Sequence, residues 1–320
     1  MAHGRRLGQV MRAAAIVVVV AACGGGKPPA VAAEHVGPAL VAAIAAADSA
    51  REPWRCTAAD LPSLDAPAIP GWQAGEHGLT RAGDDFVVGI IADAGGAAPK
   101  TLAALGRLRG QMEAAHADAV VALGGMGSDE RDLEATLGVL AAPRANKPAW
   151  PVIALPGDLE SQSAQTAAIA ALRAHGAIVV DGRLARWLVA GTATLATLPG
   201  AASPVNRADG CAFTAGDATR IYSELSAKAG LRIALVAGSP RDGEHGDLAL
   251  VPEPAIDVVV HGPVRPEPSA EAHGGRDGAR LGVSPGTSDA TARLPETRTP
   301  AAGVLAIHGT SWSWTPLVDR

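Results

Sequence analysis

Apolar residues run without a polar break over residues 86–92, 119–123 and 152–155, and they dominate 232–236 and 256–260. Runs of that length fit β-strands covered on both faces rather than on one. Between the first three the spacing turns helical. Leu102, Leu105, Leu108 and Met112 recur through 99–117, Leu133, Leu137 and Leu140 follow, and residues 163–175 form a third such segment. Three strand–turn–helix units in succession predict a parallel sheet. The second half is less helical. Short runs at 178–180, 186–189 and 194–197, separated by Asp181-Gly182 and Gly191, predict antiparallel pairing. Asp217 reads as the N-cap of a helix that ends before Gly230. Residues 54–80 read as a proline-punctuated lead-in without regular pattern, and 262–303 as a long Gly/Pro/polar loop. A hairpin over 304–317 closes the chain, with Trp312 and Trp314 on one face of an edge strand. The fold class predicted is α/β with mixed sheets.

The start of the chain follows a different rule. Arg5, Arg6 and Arg12 precede the apolar stretch 13–22, and Val20-Ala21-Ala22-Cys23 brings small residues up to a cysteine. This resembles the bacterial lipobox. The resemblance implies that residues 1–22 are a lipoprotein signal peptide and that Cys23 becomes an acylated N-terminus. The lipid bilayer is then the partner at that end. Gly24 stands where an aspartate resembles an inner-membrane retention signal, which favours the outer membrane within the cell envelope. A plain secretory signal and a single membrane span are the alternatives, and the apolar stretch is short for a span. Residues 23–53, rich in Ala, Gly and Pro, read as a tether in which Val36, Leu40, Val41 and Ile44 outline a short docking helix. The folded domain is then 54–320.

Composition sharpens this picture in three ways. Aromatics make up 3% of the chain, so its core is built from Val, Leu, Ile and Ala, small pieces that tolerate exchange. The formal charge is −5, and the first 22 residues contain three arginines and no acid, so the remainder is more acidic still. Such a surface disfavours nucleic acid. In an oxidising compartment Cys56 and Cys211 form one possible disulfide, worth roughly 4–5 kcal/mol for so long a loop; two buried thiols are the alternative.

Turn residues follow the apolar runs in a definite order. They are Asp93-Ala-Gly95, Gly124-Gly125, Pro-Gly157-Asp158-Leu159-Glu160, Ala237-Gly238 and His261-Gly262-Pro263-Val264-Arg265. Order and spacing resemble the five signature blocks of the calcineurin-like metallophosphoesterases, from about residue 86 to the C-terminus. The resemblance implies a four-layer α/β/β/α sandwich with a two-metal site at the strand ends. In that family the blocks read Asp-x-His, Gly-Asp, Gly-Asn-His-Glu, a lone His, and Gly-His-x-His.

This chain departs from the pattern at the ligands. Asp93 keeps the first position, but Gly95 replaces the histidine beside it and Gly125 replaces the bridging aspartate. Asp158 replaces asparagine, and Leu159 replaces the histidine that serves the leaving group. Gly238, or Ala237 before it, stands at the lone histidine, and Pro263 and Arg265 stand at the last pair. Two cations held close together need a bridging carboxylate and several further donors, and Asp93 and Asp158 alone do not supply them. The resemblance therefore implies a pseudoenzyme with no metal or other cofactor, serving a binding or structural role whose protein or small-molecule partner is unspecified. An active phosphoesterase with a non-standard metal set is the alternative, and a metal-free hydrolase a third. Arg241 and Arg265 follow strands ending at the same edge, where guanidinium groups would neutralise Asp93 and Asp158; solvated loops are the other reading. His245, His261 and His308 show no metal-ligand spacing. Ser128 and Ser239 lack the Gly-x-Ser-x-Gly context of a serine hydrolase.

Overall fold

Residues 54–57, 61–144, 147–202, 204, 209–238, 256–262, 269–275, 278–284 and 300–319 are described by a computed structural model. Cys23, the tether with its docking helix, Arg241, His245, Pro263 and Arg265 lie outside them. In chain order the first strands are β1 (Trp54–Arg55), β2 (Trp72–Ala74) and β3 (Gly78–Arg81). The strand–helix units follow: β4 (Asp85–Ala92), α1 (Pro99–Ala114), β5 (Ala119–Leu123), α2 (Glu130–Ala141), β6 (Val152–Leu155), α3 (Gln162–Ala174) and β7 (Val179–Asp181). Then come β8 (Trp187–Ala190), β9 (Ala193–Leu198), β10 (Cys211–Ala212), α4 (Ala215–Ser226), β11 (Leu231–Val236) and β12 (Val258–His261). Two hairpins finish the chain, β13 (Ser269–Gly275) with β14 (Gly278–Ser284) and β15 (Ala301–His308) with β16 (Ser311–Leu317).

These strands form two mixed sheets and a two-stranded ribbon. The six-stranded sheet has the order β16-β15-β4-β5-β6-β7, with β4 to β7 parallel, β15 antiparallel to β4 and β16 antiparallel to β15. The eight-stranded sheet has the order β13-β14-β12-β11-β9-β8-β3-β2, and β1 pairs with β10 alone.

A period of two hidden inside the all-apolar strands sorts the layers. Along β4, Phe86, Val88 and Ile90 join Leu195, Ile233 and Val258 of the second sheet in a core between the sheets. Their neighbour Ile91, with Val120 of β5 and Val152 of β6, packs on Leu105 of α1, Leu137 of α2 and Ile169 of α3. On the far side of the second sheet, Ala196, Ala234 and Val259 meet Ile221, Tyr222 and Leu225 of α4. The order is helices, sheet, sheet, helix, an α/β sandwich. The helices start where local chemistry allows: α1 on Pro99, α2 under the Asp129 cap, and α3 under Ser161.

Several elements differ from the sequence expectation, each for a local reason. Asp217 is not the cap of α4. Thr214 is, and Asp217 reaches back as the other half of a capping box, its Oδ2 accepting the Thr214 N–H at 2.9 Å. The runs at 178–189 do not stay together, because the α3 crossover lays β7 parallel to β6 while β8 opens the second sheet and pairs antiparallel with β9. The lead-in contains the β2–β3 hairpin, and β3 runs parallel to β8. Within 262–303, β13 and β14 form an antiparallel hairpin on the edge of the second sheet. Strands of three or four residues, or strands interrupted by glycine, are too short or too plain to show alternation.

Cys56 and Cys211 are disulfide-bonded, 0% and 1% exposed, with their Cα atoms 5.4 Å apart. The bridge fastens the β1–β10 ribbon, which the Cys56 N–H extends by donating to the Ala212 carbonyl and which bonds to the rest of the fold through the Ala201 N–H to Cys211 and the Phe213 N–H to Ala201. A two-stranded ribbon is marginal unaided. Replacing both cysteines by serine is expected to lower the unfolding free energy by about 2–5 kcal/mol, read as a fall in the urea midpoint under non-reducing conditions.

Candidate functional site

The parallel strands β4, β5 and β6 end at one edge of their sheet, and β9, β11 and β12 end together in the other. Two observations bring these edges to one place. The Gly200 N–H, just past β9, donates to the Pro156 carbonyl just past β6 at 2.7 Å. A Cβ at Gly124, past β5, would lie 3.5 Å from the Cβ of Ala237, past β11. The turns that carry the sequence motifs therefore converge.

Inside this edge the main chain packs against itself. The Asp93 N–H donates to the Gly124 carbonyl at 3.0 Å, and the Gly95 N–H to the Gly125 carbonyl at 2.7 Å. Gly124 and Gly125 have φ of +76° and +68°, and Asp93 itself has φ of +56°. Left-handed backbone suits glycine and is tolerated by aspartate at a cost of about 1 kcal/mol. Asp93 is half-buried, Asp158 exposed and Leu159 half-buried, while Gly125 and Gly238 are buried.

The residues at this edge do not fit a binuclear metal centre. Gly95, Gly125 and Gly238 offer no side-chain donor, and the Asp158 carboxylate belongs to an exposed residue. Among the described residues no three His, Cys, Asp or Glu side chains gather closely enough to hold a metal ion. His261 ends β12 buried, with Nδ1 2.7 Å from the Gly262 carbonyl oxygen. His308 is at the opposite end of the sheet, 3.0 Å from Asp85 at the start of β4.

Two groups that matter here are given no role by the motif reading. Glu160 is 1% exposed, and its carboxylate accepts the Met126 N–H at 2.6 Å and the Gly157 N–H at 2.8 Å. It thereby ties the turn after β5 to the turn after β6. Burial pushes its carboxyl above the ordinary value, against the pull of those N–H bonds, and the neighbouring Asp158 charge adds to the rise. The second group is Arg183, 4% exposed, whose Nε lies 2.8 and 2.9 Å from the two carboxylate oxygens of Asp181. Arg183 also donates to Thr166 at 2.9 Å, so the end of β7 is held to α3. Among the described residues, Arg183 and Arg186 are buried arginines. Only the spacing of Glu160, three residues past Gly157, hints at its role; its other partner is 34 residues away.

Glu160→Ala leaves two buried N–H groups unsatisfied and is expected to destabilise the domain by about 3 kcal/mol, whereas Glu160→Gln keeps one acceptor and loses about half of that. Urea denaturation of the two variants checks the order.

No protein-family model and no curated protein matches the chain. Solved structures do. One is TT1561 of Thermus thermophilus, 13% identical, aligned over 72% of this chain and 99% of that one with a TM-score of 0.45.

Proposed function

We propose that this chain is a lipoprotein of the cell envelope, acylated at Cys23 and held at the outer membrane, whose metallophosphoesterase-like domain has lost hydrolytic chemistry and serves a binding or structural role. The observation that carries the second half is the contact between Gly125 and Asp93. Where the resemblance implies a bridging carboxylate, this chain has no side chain, and the Asp93 backbone fills the space beside it. Among the described residues, a phosphoryl group positioned at this edge would meet no Lewis acid's ligand set, and position 159 carries leucine where the resemblance implies a histidine to protonate the leaving group. The anchoring half rests on residues 1–23, with the tether spacing the domain from the bilayer.

Two measurements test the reading. The purified mature chain, equilibrated with Mn2+ and dialysed, is expected to retain no stoichiometric metal and to leave p-nitrophenyl phosphate unhydrolysed. Two equivalents of transition metal, with turnover abolished by Asp93→Ala, would establish an active phosphoesterase instead. Cys23→Ser is expected to stop fatty-acid labelling and to move the protein from the membrane pellet to the soluble fraction. A variant that stays in the pellet would point to a membrane span.

A further inference from the structure

The strand-end edge has not simply lost ligands; its main chain has no room for them. A Cβ at Gly125 would lie 2.8 Å from the Asp93 Cα, 3.0 Å from its Oδ1 and 3.2 Å from its N. A Cβ at Gly124 would lie 2.9 Å from the Gly157 Cα and 3.1 Å from its N. The converse holds from the other side, where a Cβ at Gly157 would meet the Gly124 Cα at 3.2 Å and the Gly125 N at 3.3 Å. Carbon atoms pack at about 3.5–4.0 Å, so any side chain at 124 or 125 pushes whole turns apart. Apart from the Asp93 Oδ1 these atoms are backbone, which cannot swing aside as the end of a long side chain can.

Backbone conformation alone would not exclude aspartate at 125, since a left-handed φ is open to it. The contact excludes it. Separating the turns also stretches the Asp93-to-Gly124 and Gly95-to-Gly125 hydrogen bonds, and it pulls against Glu160, which grips Met126 on one turn and Gly157 on the other. Asp132 adds a further hold, its Oδ1 accepting the Ala97 N–H at 3.2 Å and so fixing the turn after β4 to α2.

We infer that the edge is sealed by main-chain packing, so that putting ligand side chains back at its motif positions does not recreate a metal site. The inference rests on the proposed loss of hydrolytic chemistry and goes beyond it, because a merely emptied site would take metal again once its ligands returned. The seal is a positive structural feature: three turns and two carboxylates occupy the space that ions and their ligands would need.

Two experiments on the mature chain test the seal. The first compares Gly124→Ala and Gly125→Ala with Gly176→Ala. Gly176 has φ of +80° but nothing within 4 Å of an added Cβ, so it carries the conformational strain without the contact. The melting temperature is expected to fall roughly twice as far, or more, at 124 and 125 as at 176. Equal falls at all three positions would show that the turns part freely, and the seal would be wrong. The second uses Leu159→His, which changes a half-buried position and adds an imidazole beside Asp158, together with Gly125→Asp/Leu159→His. With Mn2+ added, neither is expected to bind a stoichiometric ion by elemental analysis or to gain in melting temperature. Binding of one equivalent or more by either variant, with a raised melting temperature, overturns the seal. The unsubstituted chain run alongside separates the two ideas: metal on a variant alone removes the seal, and metal on the unsubstituted chain removes the proposed function as well.

Discussion

No Cβ fits between the turns that end β4, β5 and β6, and the arrangement of this edge follows from that. Parallel strands deliver their ends side by side, about 4.8 Å apart within a sheet. Here the turns after β5 and its two neighbours approach so closely that a side chain at 124 or 125 would collide. Gly124-Gly125 is the turn after β5. Once it is bare, Asp93 on one side and Gly157 on the other close on it, and Ala237 from the second sheet reaches Gly124 as well. The two sheets are therefore held together at this end by small residues and backbone. The larger apolar side chains between the sheets, such as Phe86, Val88 and Leu195, lie further along the strands.

Backbone packed this closely leaves N–H groups away from water, and each needs an acceptor. Carboxylates from the following segments meet the need. Asp132 takes Ala97, Glu160 takes Met126 and Gly157, and Asp181 takes the Arg183 N–H at 3.0 Å as well as its guanidinium. Burying a carboxylate is costly, which is why burial raises Glu160 above its ordinary value. Two short N–H bonds offset part of that cost. Removal of the carboxylate would restore nothing, because the donors would remain buried and unsatisfied. Asp181 solves the same problem with a counter-ion. A buried pair of this kind is weak evidence for stability in itself but strongly resists losing one member.

The long apolar runs are legible because burial on both faces leaves few polar residues to confuse them: β4, β5, β6, β11 and β12 stand close to where the pattern places them. Alternation between the two cores is not legible, since Val88 and Ile91 look alike in a sequence but face opposite layers. The β2–β3 hairpin escapes the pattern because three or four residues carry no period, and β13–β14 because Gly274, Gly275, Gly278 and Gly282 imitate a loop. Asp217 resembles a cap because a capping box contains two candidates three residues apart, and only the backbone shows that Thr214 is the outer one. At the edge, the order of the turns is readable, since parallel strands fix which loops meet. The side chains that hold them are not. Arg241 and Arg265 draw attention by following strands, whereas Arg183 is two residues from the carboxylate it neutralises. Whether Cys56 and Cys211 meet depends on the register of β1 against β10, and no local signal encodes it.

Metal ions in a loop-built site do structural work as well as chemistry, because they draw together acidic loops that would otherwise repel. A chain that loses them must deal with both consequences. Repulsion is small at this edge: Asp158 is exposed to solvent screening, and Gly125 has no charge at all. In this chain the turns are cross-linked by Glu160, which spans two of them, and by the paired backbone bonds of Asp93 and Gly95. Each such bond contributes about 1 kcal/mol, far less than an ion with a full ligand set, but it needs no ion to be present. An edge held in this way keeps its shape in any ionic environment. Glycines and a buried glutamate are therefore the residues on which the turn geometry depends.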